Sequence, residues 1–403
     1  MTLSAALNDL VFPMKRSCPF APPPEYARLR GEQPIARVST VGGNTAWVVT
    51  RYEDVRKILS DPRVSSDHRH ENYPQIMPGL REMRHDVPRS MIGMDAPDHT
   101  AARRAVLPEF TVKGLKPLKP RIQQIVDDCV QGMLAAGGPV DLVRALSFPV
   151  PARVICELLG IPYADFDFFE RCTVVLASRT TTDEERMRTL TDLCGLLDEL
   201  VTSKEKEPTD DLLGRQIAKR RAEGTLDHDA MVGLAFLLVL AGHETTASMI
   251  SLGTLALLEN PAEIEKIVAD PRRIPAAVEE MLRFFTISDI ITSRTAMEDI
   301  ELGDVVIRAG EGVIALGYAA NRDPEVFADP DEFDISREAR RHMAFGFGAH
   351  KCLGKTLARM ELAVVFDTLF RRIPGIRLAA PLDEIAFKDE ASIYGVHELP
   401  VTW

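Results

Sequence analysis

Phe345-Gly346-Phe347-Gly348-Ala349-His350-Lys351-Cys352-Leu353-Gly354 runs straight into a long amphipathic stretch, Lys355 to Arg372. The spacing places Cys352 where a loop enters a helix. The free N–H groups and the positive dipole end of that helix favour an anion, which holds the thiol as a thiolate able to ligate a metal. Gly346, Gly348 and Gly354 carry no Cβ, so the backbone there can lie close against something flat. A flat partner with an axial thiolate reads as haem. A lone cysteine ahead of a helix also has a plainer reading, a small buried hydrophobe.

The remainder of the chain bounds the choice. Its 403 residues are 45% hydrophobic, and no linker, internal repeat or low-complexity tract divides them. One domain, residues 1–403, is expected. The net charge of −12 argues against nucleic acid as a partner, since phosphate binding needs a basic surface. Met1 to Asp9 lacks the basic start and apolar core of a signal peptide. The longest apolar run, Met231 to Gly242, stops at His243-Glu244 and is too short to span a bilayer. A soluble, cytoplasmic protein without a membrane partner is the expectation. The six cysteines (18, 129, 156, 172, 194 and 352) have no C-x-x-C spacing, which suits reduced thiols rather than zinc or a redox disulfide.

Helical periodicity dominates from His99 onward. The pattern predicts helices over Leu118 to Ala135, Pro151 to Leu159, Asp183 to Glu205, Asp210 to Glu223, Asp229 to Leu258 and Pro275 to Phe285. Strands are expected at Ala46 to Thr50, Ser293 to Ala296 and Val305 to Ile307, and a long polar loop from Ser65 to Arg89. The fold class is therefore mainly α with small β-sheets. The helix from Asp229 is apolar nearly all round, so it should cross the core. Ala241-Gly242-His243-Glu244-Thr245-Thr246 interrupts it with residues that weaken a helix interior, and threonine can compete for a backbone carbonyl. A local opening at a functional site is one reading. A surface turn with a solvated Glu244 is the other.

Taken together these segments resemble the cytochromes P-450. The pattern Phe-x-x-Gly-x-His-x-Cys-x-Gly at 345–354 is similar to their haem-binding loop, and Ala241 to Thr245 to their oxygen-activating motif. Glu280-Met281-Leu282-Arg283 resembles their E-x-x-R motif, Asn321 to Phe333 the stretch before the cysteine loop, and His99 to Arg103 their haem-edge helix. Cys18 to Pro23 and Ile393 to Pro400 look like a soluble actinobacterial, ferredoxin-dependent branch that hydroxylates macrolides, vitamin D, herbicides and statin precursors.

The resemblance implies haem b, held between the long central helix and the cysteine-loop helix. Cys352 would be the axial ligand, its charge tempered by N–H groups near Leu353 and Gly354, with Phe345 and Gly346 beside it. His99 and Arg103 are four apart on one helix face and, with Arg294 and His350, would clamp the propionates. Glu280 and Arg283 would form a buried architectural ion pair. Glu244 and Thr245 would deliver protons for dioxygen reduction. A mostly apolar pocket would include Met91, Ile92, Leu237, Leu238, Ala241, Ile290, Ile291, Ile393 and Tyr394, suited to a bulky hydrophobe such as a polyketide-type macrolide or statin precursor. Electrons would come from NAD(P)H through a ferredoxin reductase and a ferredoxin docked near Lys113, Lys116, Lys119, Lys351, Lys355 and Arg359. The implied enzyme is a monomeric haem-thiolate monooxygenase of secondary metabolism. A peroxide-driven hydroxylase and a non-enzymatic haem-based sensor are the alternatives.

Overall fold

Apolar side chains all round Met231 to Leu240 leave that stretch no solvent face. In the computed structural model, which describes residues 10–77, 83–162, 166–288 and 292–403, it lies in the helix His228–Gly242. The helix breaks at His243 (φ −90°, ψ −73°) and resumes as Glu244–Glu259. Taken whole, His228–Glu259 is long and apolar enough to cross a membrane, yet 67% of its apolar window is buried within the protein, as in a core helix. The break is a kink rather than an end, and the helix runs on to Glu259, one residue beyond the expected Leu258.

The chain divides into two units. One comprises Met1–Val87, Ile92–Thr100 and Glu279–Cys352, the other Pro88–Met91, Ala101–Val278 and Leu353–Trp403. The first is built on a six-stranded sheet in the order Val11–Phe12, Ile35–Thr40, Thr45–Val49, Gly312–Ala315, Ser293–Ala296, Val64–Ser65. Ile35 stands opposite Val49 in an antiparallel ladder, and Val49 opposite Ala315 in a parallel one. The helix Tyr52–Ser60 lays Tyr52, Val55, Ile58 and Leu59 on this sheet, against Val49, Val313 and Ala315. Val305–Ile307 pairs instead with Ile300–Leu302 in a separate two-stranded sheet. The helix Ile274–Phe285 leads into this unit.

The second unit is mainly helical, with one three-stranded sheet in the order Arg377–Leu378, Pro400–Thr402, Val140–Asp141. Lys119–Ala136, Pro149–Leu159, Asp183–Lys206 and Leu212–Ala222 lie within two residues of the expected bounds. Thr182, Asp211 and Asp227 each accept the amide hydrogen three residues on, which fixes three of the helix starts. Phe166–Ala177 is a helix the periodicity does not reveal; Thr173-Val174-Val175 gives it poor intrinsic propensity, and packing against Asp183–Lys206 sustains it. The helix after the cysteine spans Lys355–Arg372 as expected and packs on Lys119–Ala136 and Glu244–Glu259. Gln123 Nε2 donates to Thr368 Oγ1 at 2.9 Å and Arg372 to the Asp127 carbonyl at 3.2 Å, so Lys119–Ala136 and Lys355–Arg372 run parallel.

Candidate active site

Cys352 sits three residues ahead of the helix Lys355–Arg372, part-buried and reduced. Its N–H donates to the Phe345 carbonyl at 2.8 Å, which closes the loop into a ring. Gly346 (φ +66°) and Gly348 (φ +72°) make the turns a side chain would strain. Their surroundings differ, and here one expectation is corrected. A Cβ on Gly348 would stand 2.1 Å from the Leu59 carbonyl, so that close approach serves the protein's own packing. At Gly346 and Gly354 nothing lies within 4 Å of a Cβ, leaving open space along the loop. Among the described residues no cluster of three His, Cys, Asp or Glu side chains could cage a bare ion. Cys352 therefore suits a metal that brings its own equatorial ligands, and the open glycine faces fit a flat one. Burial pushes the thiol pKa of Cys172 and Cys194 up to about 11 and raises that of Cys129.

His99, His350 and Arg294 lie in the same unit as Cys352. The His99 and His350 rings stack with centroids 4.0 Å apart. His99 is buried, and so is Arg294, whose guanidinium donates to the Ser293 carbonyl at 2.7 Å. Burial lowers the Arg294 pKa, and Tyr73 and Asp95 oppose that shift. A buried guanidinium is costly unless an anion compensates it, which the carboxylates of haem would do. Arg103 is half-buried one turn beyond His99 on the helix Asp98–Val106.

Glu280 and Arg283 are fully buried and bidentate, both contacts 2.7 Å. Arg283 also donates to the carbonyls of Asn321, Pro330 and Glu332, and Glu280 accepts the Asp334 N–H. The pair thus holds the irregular segment before the cysteine loop. Arg337 adds a contact to Glu280 at 3.3 Å, a member the sequence reading missed because no local spacing ties it to Glu280.

At the helix break the Thr245 hydroxyl donates to the Ala241 carbonyl at 2.6 Å, the competition that opens the helix. Glu244 is buried, not solvated: Oε1 pairs with Lys388 Nζ at 2.6 Å, and Oε2 has no hydrogen-bond partner among the described residues. Lys388 was also missed. It reaches Glu244 because Gly395, whose carbonyl accepts the Lys388 N–H, lies tight against Ser248. His243 is buried against Phe148, bonds Thr173 Oγ1 at 2.9 Å, and is pushed down to about 4, chiefly by desolvation. Of the pocket candidates, Met91, Leu238, Ile393 and Tyr394 are buried, Leu237 is half-buried, and Ala241 and Ile92 are exposed. Ile290 and Ile291 lie outside the described residues.

A family model described as Cytochrome P-450 matches residues 179–373. The vitamin D3 dihydroxylase of Streptomyces griseolus is 45% identical over 97% of this chain and 96% of its own. The 20-oxo-5-O-mycaminosyltylactone 23-monooxygenase of Streptomyces fradiae is 40% identical over 99% of this chain and 94% of its own. The crystal structure of cytochrome P-450 MoxA from Nonomuraea recticatena superposes with a TM-score of 0.91 at 55% identity, covering 98% of both chains.

Proposed function

The chain belongs to the cytochrome P-450 family as a haem-dependent monooxygenase, and on that premise we propose that it hydroxylates a bulky, polyketide-type hydrophobe with electrons from a ferredoxin. The observation that carries this reading is the acid–alcohol pair Glu244-Thr245 at the break of a buried helix. Bound haem b supplies the redox-active iron that reduces dioxygen, and the protein's task is to hold it and manage protons. In this assignment Cys352 would hold the iron through its thiolate, Phe345, Gly346 and Gly354 would line the group, and His99, Arg103, Arg294 and His350 would neutralise its propionates.

Reducing dioxygen to water and inserted oxygen consumes two protons. The Thr245 hydroxyl can release the Ala241 carbonyl and donate toward the reacting oxygen. Glu244 can relay a proton through Oε2, the oxygen that Lys388 leaves unbonded. A peroxide-driven enzyme needs no such relay, and a ligand sensor needs neither residue. Met91, Ile92, Leu237, Leu238, Ala241, Ile290, Ile291, Ile393 and Tyr394 are assigned to the substrate pocket, an apolar set apart from one tyrosine hydroxyl.

The tylactone-oxidising relative supports a macrolide-type substrate, and the vitamin D3 enzyme supports bulk and hydrophobicity in general. We read residues 1–403 as one cytoplasmic, monomeric domain. The test is an optical titration of the purified ferric protein with macrolides, statin precursors, sterols and terpenoids. A saturable low-spin to high-spin shift with the polyketides is expected. A shift only with sterols or terpenoids would overturn the substrate class.

A further inference from the structure

Glu279 and His342 are buried polar side chains that the roles above leave unused. His342 Nε2 lies 3.0 Å from Glu279 Oε2, and the Ala344 N–H donates to His342 Nδ1 at 3.1 Å. A ring nitrogen that accepts a hydrogen bond cannot also carry the proton. The Ala344 amide therefore selects the tautomer with hydrogen on Nε2, which donates to Glu279. The ring is held at both nitrogens, by a carboxylate on the helix Ile274–Phe285 and by the backbone two residues ahead of itself.

From this ring the entry to the cysteine loop is pinned amide by amide. Met343 N–H donates to Asn321 Oδ1 at 2.7 Å, Ala344 N–H to His342, and Gly346 N–H to the Met343 carbonyl at 2.8 Å. Phe345 lies between the last two, its ring centroid 5.7 Å from that of His342, and its carbonyl takes the Cys352 N–H. A carboxylate–imidazole pair that only filled space would not need its second nitrogen spent on the backbone.

We infer that Glu279 and His342 are positioning residues for the thiolate: the carboxylate fixes the ring, the ring captures Ala344, and the captured backbone sets the Phe345 carbonyl that holds Cys352. The inference rests on Cys352 being the axial ligand. Its logic is that of outer-shell partners that orient a metal ligand and tune the metal, here acting through the backbone rather than on the ligand atom.

The experiment compares His342→Leu, His342→Asn, Glu279→Leu and Glu279→Gln as purified haem proteins. The readouts are the ferrous–CO spectrum, which separates thiolate from thiol ligation, and the haem reduction potential. Asparagine can accept an amide hydrogen two residues on, as in an Asx-turn, and glutamine can still accept from Nε2–H. The expected result is that His342→Leu loses most of the thiolate-type band and shifts the potential. Glu279→Leu should lose part of the band, and His342→Asn and Glu279→Gln should keep it. A wild-type band and potential in His342→Leu, or equal damage in His342→Asn and His342→Leu, would overturn the inference. A wild-type protein without any thiolate-type band would instead overturn the assignment of Cys352.

Discussion

Thr245 and His243 stand on either side of Glu244 and are asked to do opposite things with hydrogen. Thr245 is a donor whose hydroxyl now bonds the Ala241 carbonyl and could turn instead toward a water or the dioxygen substrate. Thr245→Ala should therefore keep haem and fold but divert electrons to peroxide; the check is product and peroxide formed per NAD(P)H consumed, and an unchanged product yield would refute the role. His243 is neutral and stays so, because burial pushes its pKa down to about 4 from the ordinary 6.5. The unfolded chain binds that proton near 6.5 and the native protein only near 4, so the unfolded state takes up more proton as pH falls through that window. Stability is complete above the window and declines within it, by roughly 3 kcal/mol from this one group. His243→Gln keeps a hydrogen bond to Thr173 within reach but cannot titrate. Its urea midpoint should fall less between about pH 7 and about pH 5 than that of the wild type.

The element that most needs its charges is the irregular stretch from Asn321 to Asp334, which has little regular structure of its own and hangs on Glu280 and Arg283 from the helix Ile274–Phe285. Removing either partner leaves the other charge buried and uncompensated, at a cost of ~3–5 kcal/mol. Glu280→Ala and Arg283→Ala should both yield little haem-loaded protein, measured as the haem-to-protein absorbance ratio. Arg337→Ala should be milder, since Glu280 keeps Arg283 and the Asp334 amide. This element also shows where sequence reading stops. Glu280 and Arg283 are three apart on one helix, so their pairing is legible from spacing, as are the helix break at Gly242-His243 and the helix start after Cys352. Arg337, Lys388 and His342 join their partners across 57, 144 and 63 residues of chain, and only the fold brings them together. Gly348 misled for a related reason. Its positive φ follows from the tight loop, but whether the space beside it belongs to a cofactor or to Leu59 depends on the sheet and helix packed there. The strand Ile35–Thr40 likewise gives little alternation to read and is fixed by its ladder with Thr45–Val49.

At the scale of the whole molecule, a net charge of −12 should repel an acidic electron donor, so the proposed ferredoxin needs a local exception. The helices Lys119–Ala136 and Lys355–Arg372 would supply one. They run parallel, so their N-terminal, dipole-positive ends lie at the same end of the pair. Lys119 begins one helix, Lys355 and Arg359 lie in the first turns of the other, and Lys113 and Lys116, both exposed, precede Lys119. Lys351, part-buried in the cysteine loop, belongs to the other unit and counts separately. The two fields, global and local, predict opposite responses to salt. If net repulsion governed encounter, screening would speed electron transfer. If the basic end governs it, kcat/KM for ferredoxin should fall as ionic strength rises past ~0.1 M, where the Debye length drops below ~10 Å. Charge reversal separates the cases further. Lys119→Glu or Lys355→Glu should lower kcat/KM at low salt by several-fold and converge on the wild type at high salt, with kcat nearly unchanged, because steering acts on encounter rather than on chemistry. A rate that rises with salt, or a Lys355→Glu variant indistinguishable from wild type at low salt, would move the docking site elsewhere.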